Sequence, residues 1–202
     1  PLLQHEGAVL VPITTIDGEL IGCQRIYKNG VKSFIPGSEK KGGFYLVSAD
    51  DDDWSRVFIA EGLSTALTVR RVSGSPVFVS FDCGNLKPVA QAVRARHPRS
   101  VIIMAADDDQ WTVDANGNKV NPGIRDASQA ALAVEGLVWS PPGLEPPYTD
   151  WNDAAAVHGD EWVADQLARV PMPVEEVEAV EVVTPTLDWS PRERLIEMVR
   201  SR

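Results

Sequence analysis

The sequence predicts an α/β fold: a mostly parallel sheet flanked by helices, preceded by a small β-rich subdomain. Three observations carry this. From about residue 56, short continuous apolar runs such as "RVFIA", "PVFVSF" and "SVIIMAA" alternate with segments of helical periodicity. Runs that are apolar on both faces belong to parallel strands covered by helices. Before residue 50 the pattern differs, with short alternating stretches separated by turn residues. Finally, acids follow the apolar runs: Glu61, Asp82, Asp107, and then Asp150 and Asp153. In a parallel sheet the carboxyl ends of the strands share one edge, and ligands bind there.

The elements follow in order. Residues 8–13, "AVLVPI", and 20–28, "LIGCQRIYK", read as strands split by the turn "TIDGE". "YKNGVKSFI" holds Asn29-Gly30, a strong hairpin signal. "GFYLV" is a further short strand after the "GSEKKGG" loop, which lacks the Lys-Ser/Thr and the helix of a Walker A motif. Next come the strand "RVFIA", a helix "LSTALTVRRVSG" with a glycine stop, and the strand "PVFVSFD". "NLKPVAQAVRARH" is a helix, "SVIIMAAD" a strand, "NPGIRDASQAALAVEG" a helix and "LVWSP" a fourth strand. "DWNDAAAVHGDEWVADQLARV" gives one or two closing helices. The domains expected are 1–52, β-rich; 53–170, α/β; 171–189, an extended acidic linker; and 190–202, a C-terminal helix with Ser190 as N-cap and Pro191 in its first turn.

Composition limits the function classes. The net charge of −10 argues against bulk-charge binding to nucleic acid. Yet residues 24–41 set Arg25, Lys28, Lys32, Lys40 and Lys41 against one acid, Glu39, so a basic patch can form locally. Cys23, Cys83 and the three histidines show no zinc spacing. No apolar run is long enough to span a bilayer and no leader pattern opens the chain, so a cytoplasmic location without membrane contact is expected. The start at Pro1 suggests a fragment of a longer protein.

"VIIMAADDDQ" poses the chemical question, because three adjacent aspartates repel one another unless a cation offsets them. Asp107 and Asp109 alternate, so in extended backbone both point one way. Asp108 then points away and reads as a solvated loop residue. Glu61, after "VFIA", is awkward to bury unless paired or ligated.

"IAEGLSTAL" with Glu61 and Gly62, and "AADDDQ" with Asp107 and Asp109, together resemble the Toprim domain, most closely that of primases. "NPGIRDASQAA" looks like the glycine-led helix of plasmid and phage primases, and "DWND" resembles their later acidic element. Upstream, "VPI…DG…Q.I…G.K.F" is similar to the β-rich segment before Toprim in a primase core. The resemblance covers roughly residues 6–170. It implies a Toprim-type, Rossmann-like sheet and a DNA-dependent RNA primase core that transfers nucleotides on single-stranded DNA. It implies Mg²⁺ or Mn²⁺, ribonucleoside triphosphates as substrates, and a replicative helicase or further domains of the same polypeptide as partners. Glu61, Asp107 and Asp109 would be catalytic and metal-binding, with Asp150 and Asp153 as outer ligands. Arg25, Lys32, Lys40 and Lys41 would hold nucleotide or template. Gly62 and Gly123 would let backbone approach a ligand. The insertion "QWTVDANGNKVNP" departs from the shortest bacterial primases.

Several residues stay open between two readings. Asp82 is a ligand or a turn residue, Asp150 a ligand or a helix N-cap, and Gln24 a weak binding candidate. Trp151 and Trp162 read as packing residues. Trp111 reads as a loop anchor, with base stacking by an exposed ring as the alternative. Two other functions compete with the primase reading: a Toprim phosphodiesterase or nuclease, and a non-catalytic nucleic-acid-binding or assembly module. A topoisomerase is disfavoured, because only Tyr27, Tyr45 and Tyr148 could serve as its tyrosine.

Overall fold

The computed structural model describes residues 2–5 and 7–172. The expected linker from residue 173 onward and the expected helix at 190–202 lie outside the described residues. Two sheets form. The first is antiparallel, built from β1 (Leu3–His5), β2 (Ala8–Thr14), β3 (Leu20–Tyr27) and β4 (Lys32–Phe34) in that order. The Asn29-Gly30 turn closes the β3–β4 hairpin, with Gly30 at φ 83°, a value glycine adopts without steric cost.

The second sheet contains β5 (Tyr45–Val47), β6 (Arg56–Ala60), β7 (Val77–Val79), β8 (Val101–Ala105) and β9 (Leu137–Trp139), ordered β5-β7-β6-β8-β9. Only β5 runs antiparallel to its neighbour. The strand "GFYLV", grouped from sequence with the first fifty residues, thus joins the second sheet as its edge. Three residues give too little pattern to show which sheet a strand will pair with.

Burial alternates along the strands as a doubly covered sheet requires. Val57, Ile59, Ile102 and Met104 pack beneath α2 (Leu86–Arg96) and α3 (Pro122–Leu132). Phe58, Ala60, Ile103 and Ala105 face α1 (Leu63–Ser73), α4 (Trp151–His158) and α5 (Asp160–Ala168). Val11 and Ile13 of β2 enter that second cluster, so one core spans both sheets. The closing helices are two because Gly159, at φ 86°, breaks the run.

A small polar hub fixes the junction between the sheets. Buried Asn85 accepts from the Gly42 amide (2.7 Å) and donates to the carbonyls of Gly43 (2.9 Å) and Ser80 (2.8 Å). Beside it, Phe81 sits at φ 72°, a conformation costly for a bulky residue. Its ring meets Phe34 of β4 edge-on at 6.2 Å, and its amide bonds the Glu61 carbonyl at 2.9 Å.

Candidate functional site

β6 and β8 are neighbours, but their connections leave in opposite directions. The chain after β6 runs through α1 to β7 on one side, and the chain after β8 runs through α3 to β9 on the other. This is the switch point of the sheet, where a crevice opens beyond the strand ends. Ala60 pairs with Ala105, so Glu61 and Asp107 leave adjacent strands at that crevice.

Both carboxyls are costly there. Burial, then the Glu61, Asp150 and Asp109 charges, push Asp107 up to about 8. One of its buried oxygens, Oδ1, has no hydrogen-bond partner. Glu61 is raised by burial first, then by Asp109 and Asp82. Lys32 opposes both shifts. A fold gains nothing from an orphaned carboxylate among like charges, so the arrangement suits a cation. Among the described residues, no group of three or more His, Cys, Asp or Glu side chains is gathered closely enough to hold a metal ion by itself. An open site of few carboxylates fits Mg²⁺, which keeps waters and is completed by substrate phosphates. The donors are hard oxygens, as Mg²⁺ and Mn²⁺ prefer. The residues therefore fit the ion.

Asp109 is oriented by the start of α3. Its Oδ2 accepts from the Gly123 amide at 3.1 Å, and its own amide bonds Asn121 Oδ1 at 3.0 Å. Asn121 also caps α3 through Ile124 and donates to Asp108 at 2.6 Å. Asp108 is thus half-buried and bonded rather than solvated. Sequence reading missed Asn121, although an Asn directly before a helix-opening Pro is an N-cap signal.

Lys32 arrives from the other sheet. A side-chain carbon added at Gly62 would lie 3.6 Å from Lys32 Nζ, and Lys32's charge acts on both Glu61 and Asp107. Gly62 also leaves α1 without a side-chain cap, so its first amides remain open to an anion. Arg25 goes elsewhere. It pairs across with Ser33, while Lys32 pairs with Ile26, so the pleat puts Arg25 on the opposite face of the hairpin. Gln24 is buried on β3. Lys40 is ion-paired to Asp82 and lies 5.4 Å from the Phe34 ring centre, and Lys41 is exposed. Asp82 also caps the turn Cys83–Asn85 through the Asn85 amide, which accounts for its carboxylate.

Asp150 and Asp153 form a reciprocal capping box on α4. Asp150 accepts from the Asp153 amide (2.7 Å) and the Thr65 hydroxyl (2.9 Å), and Asp153 accepts from the Thr149 amide (2.9 Å). Asp150 still lies near enough to raise Asp107. Asp150→Ala should therefore destabilise by about 1–2 kcal/mol, the scale of a lost N-cap, lowering Tm by roughly 2–8 °C. The same change should bring the Asp107 titration down. An unchanged Tm would show that the cap contributes nothing. Sequence reading also missed Asp126, one turn beyond Gly123, whose charge adds to the load on Glu61.

Trp151 is fully buried, and Trp162 packs against His158. Among the described residues, no helix is long and apolar enough to cross a membrane.

Comparison with known proteins follows the same lines. The Toprim domain family matches residues 56–161. The DNA primase TraC of Escherichia coli is 34% identical over 179 residues, covering 83% of this chain but 17% of that protein. The primase fragment of the bacteriophage T7 primase-helicase protein superposes with a TM-score of 0.57 at 15% identity, over 82% of this chain and 66% of that one. A DNA primase domain from Pseudomonas aeruginosa gives 0.55 at 15% identity, over 82% of this chain and 52% of that one.

Proposed function

Because this chain belongs to the Toprim domain family, we propose that it is the catalytic core of a DNA-dependent RNA primase. The chain spans 17% of the TraC primase it matches, so the activity of that whole protein is carried here as a proposal. The observation that supports it most is the meeting of Lys32 with Glu61 and Asp107 at the switch point. One sheet brings a cation, the other brings carboxylates, and polyphosphate chemistry needs both.

Glu61, Asp107 and Asp109 would hold divalent cation, Mg²⁺ or Mn²⁺, with Asp150 behind them and Asp153 holding Asp150 in place. When bound, such an ion supplies positive charge to the phosphate oxygens and makes the attacking hydroxyl easier to deprotonate. Glu61, with its raised pKa, is suited to take the proton from a primer 3′-hydroxyl. Lys32 and the open amides of α1 hold the triphosphate and favour departure of pyrophosphate. Lys40, paired with Asp82, and exposed Lys41 would meet nucleotide or template phosphate in this reading. Single-stranded DNA and ribonucleoside triphosphates are the substrates of this reading, and a helicase or flanking domains its partners.

Nucleotide incorporation and strand cleavage, measured side by side on single-stranded DNA with Mg²⁺ or Mn²⁺, test it. Incorporation without cleavage is expected. Cleavage without incorporation would make the protein a phosphodiesterase, and neither activity would make it a binding module. Lys32→Ala should raise the nucleotide KM by about tenfold, the scale of one charge-assisted contact. It should also move the acidic limb of the pH–rate profile upward, because Lys32 lowers both carboxyl pKa values. An unchanged KM and limb would remove Lys32 from the site.

A further inference from the structure

The insertion after Asp109 is a hairpin that exposes two apolar side chains close in sequence to the candidate site. Trp111 is 44% exposed and Val113 59%, whereas Trp151, Phe44, Phe58 and Phe78 are enclosed. Val113 pairs across the hairpin with Lys119, so an aliphatic and a cationic side chain leave on one face. The hairpin is firmly tied to the site. Thr112 donates to the Asp109 carbonyl, Val120 to the Thr112 carbonyl, and Asn121 bonds both Asp108 and Asp109. Its tip is held by Asp114, which accepts from the amides of Asn116 (2.8 Å) and Asn118 (2.9 Å) and from the Asn118 side chain (3.0 Å). An indole held two residues beyond Asp109, with a lysine further along the same hairpin, has the chemistry of a base-stacking surface with a phosphate contact.

We propose that the 110–120 hairpin is a platform for single-stranded DNA, with Trp111 stacking a base and Lys119 meeting the backbone. This rests on the primase reading, since it places the strand beside the carboxylates. The occupant is a strand rather than one nucleotide, because Trp111 and Lys119 lie on the two arms of the hairpin and offer separate base and phosphate contacts.

The test is binding of the full chain to a labelled single-stranded oligonucleotide and to its abasic counterpart, across a salt series. Trp111→Ala should weaken binding to the base-bearing strand by about tenfold and shrink its preference over the abasic strand. Trp111→Phe should retain most of that preference. Lys119→Gln should reduce the salt slope by about 0.7, one phosphate contact on a single strand. Trp111→Ala binding both strands in the wild-type ratio would overturn the proposal, as would absence of measurable binding by the wild type. A variant that raises only the nucleotide KM would also overturn it, placing the indole on the incoming nucleotide. If Trp111→Ala fails to fold, the Phe and Gln variants still decide. Strand binding that depends on Trp111 without nucleotide incorporation would leave the platform standing and remove the primase reading.

Discussion

Asp107→Asn should abolish nucleotide incorporation while making the metal-free protein more stable at pH 8. The catalytic loss should reach about 10³-fold, the scale of removing one preorganised electrostatic stabiliser. The stability gain follows from linkage. Folded Asp107 is pushed up to about 8 from an ordinary 3.8. Between those values the folded chain holds a proton that the unfolded chain has released. The contribution of Asp107 to metal-free stability is therefore full below about pH 4 and is lost as pH rises through 8. Asparagine cannot ionise, so the variant should lose that slope. Added Mg²⁺ should raise the wild-type Tm at pH 8 and leave the variant's nearly unchanged. Thermal melts from pH 5 to 9, with and without Mg²⁺, check all three points. A variant whose melts decline with pH as steeply as wild type would show that Asp107 is not the buried acid.

Gly123→Ala should cost both fold stability and metal binding. An added methyl carbon would press directly on the Asp107 carbonyl and lie 3.0 Å from Asp109 Oδ2. The first obstacle is backbone, so no side-chain rotation relieves it. Overpacking of this kind costs typically about 1–3 kcal/mol, here compounded by loss of the Gly123 amide bond to Asp109. The start of α3 must shift, taking Asp109 out of line with Glu61. A lowered Tm together with at least tenfold weaker Mn²⁺ binding is the expected pair. Gly62→Ala is the control, since a carbon there meets Lys32 Nζ only at 3.6 Å and should be tolerated by the fold. Equal melting of wild type and Gly123→Ala would mean that α3 does not need glycine.

Most of the architecture was legible because periodicity is local. The helices at 63–73, 86–96 and 122–132 fall within the segments that spacing marks, with a glycine stop ending the first at Gly74 and the third ending four residues before Gly136. The shared acidic edge of β6 and β8 was legible for the same reason, since each strand end shows its own acid. Long-range pairing was not. Lys40 and Asp82 are 42 residues apart, and Thr65 and Asp150 are 85 apart, so no window of sequence contains either pair. Arg25 is an intermediate case. The Asn29-Gly30 turn fixes the β3–β4 register, and counting back along the pleat would have separated Arg25 from Lys32.

The Asn85 hub bears on how the two sheets are spaced. Its bonds to Gly42 and Gly43 hold the chain entering β5 against the end of β7. From there the Thr14–Phe44 pair, with two backbone bonds, and the Phe34–Phe81 ring contact reach across to the first sheet. Lys32 on one sheet and Glu61 on the other are thus spaced by main-chain and ring contacts, the frame into which the proposed triphosphate would fit.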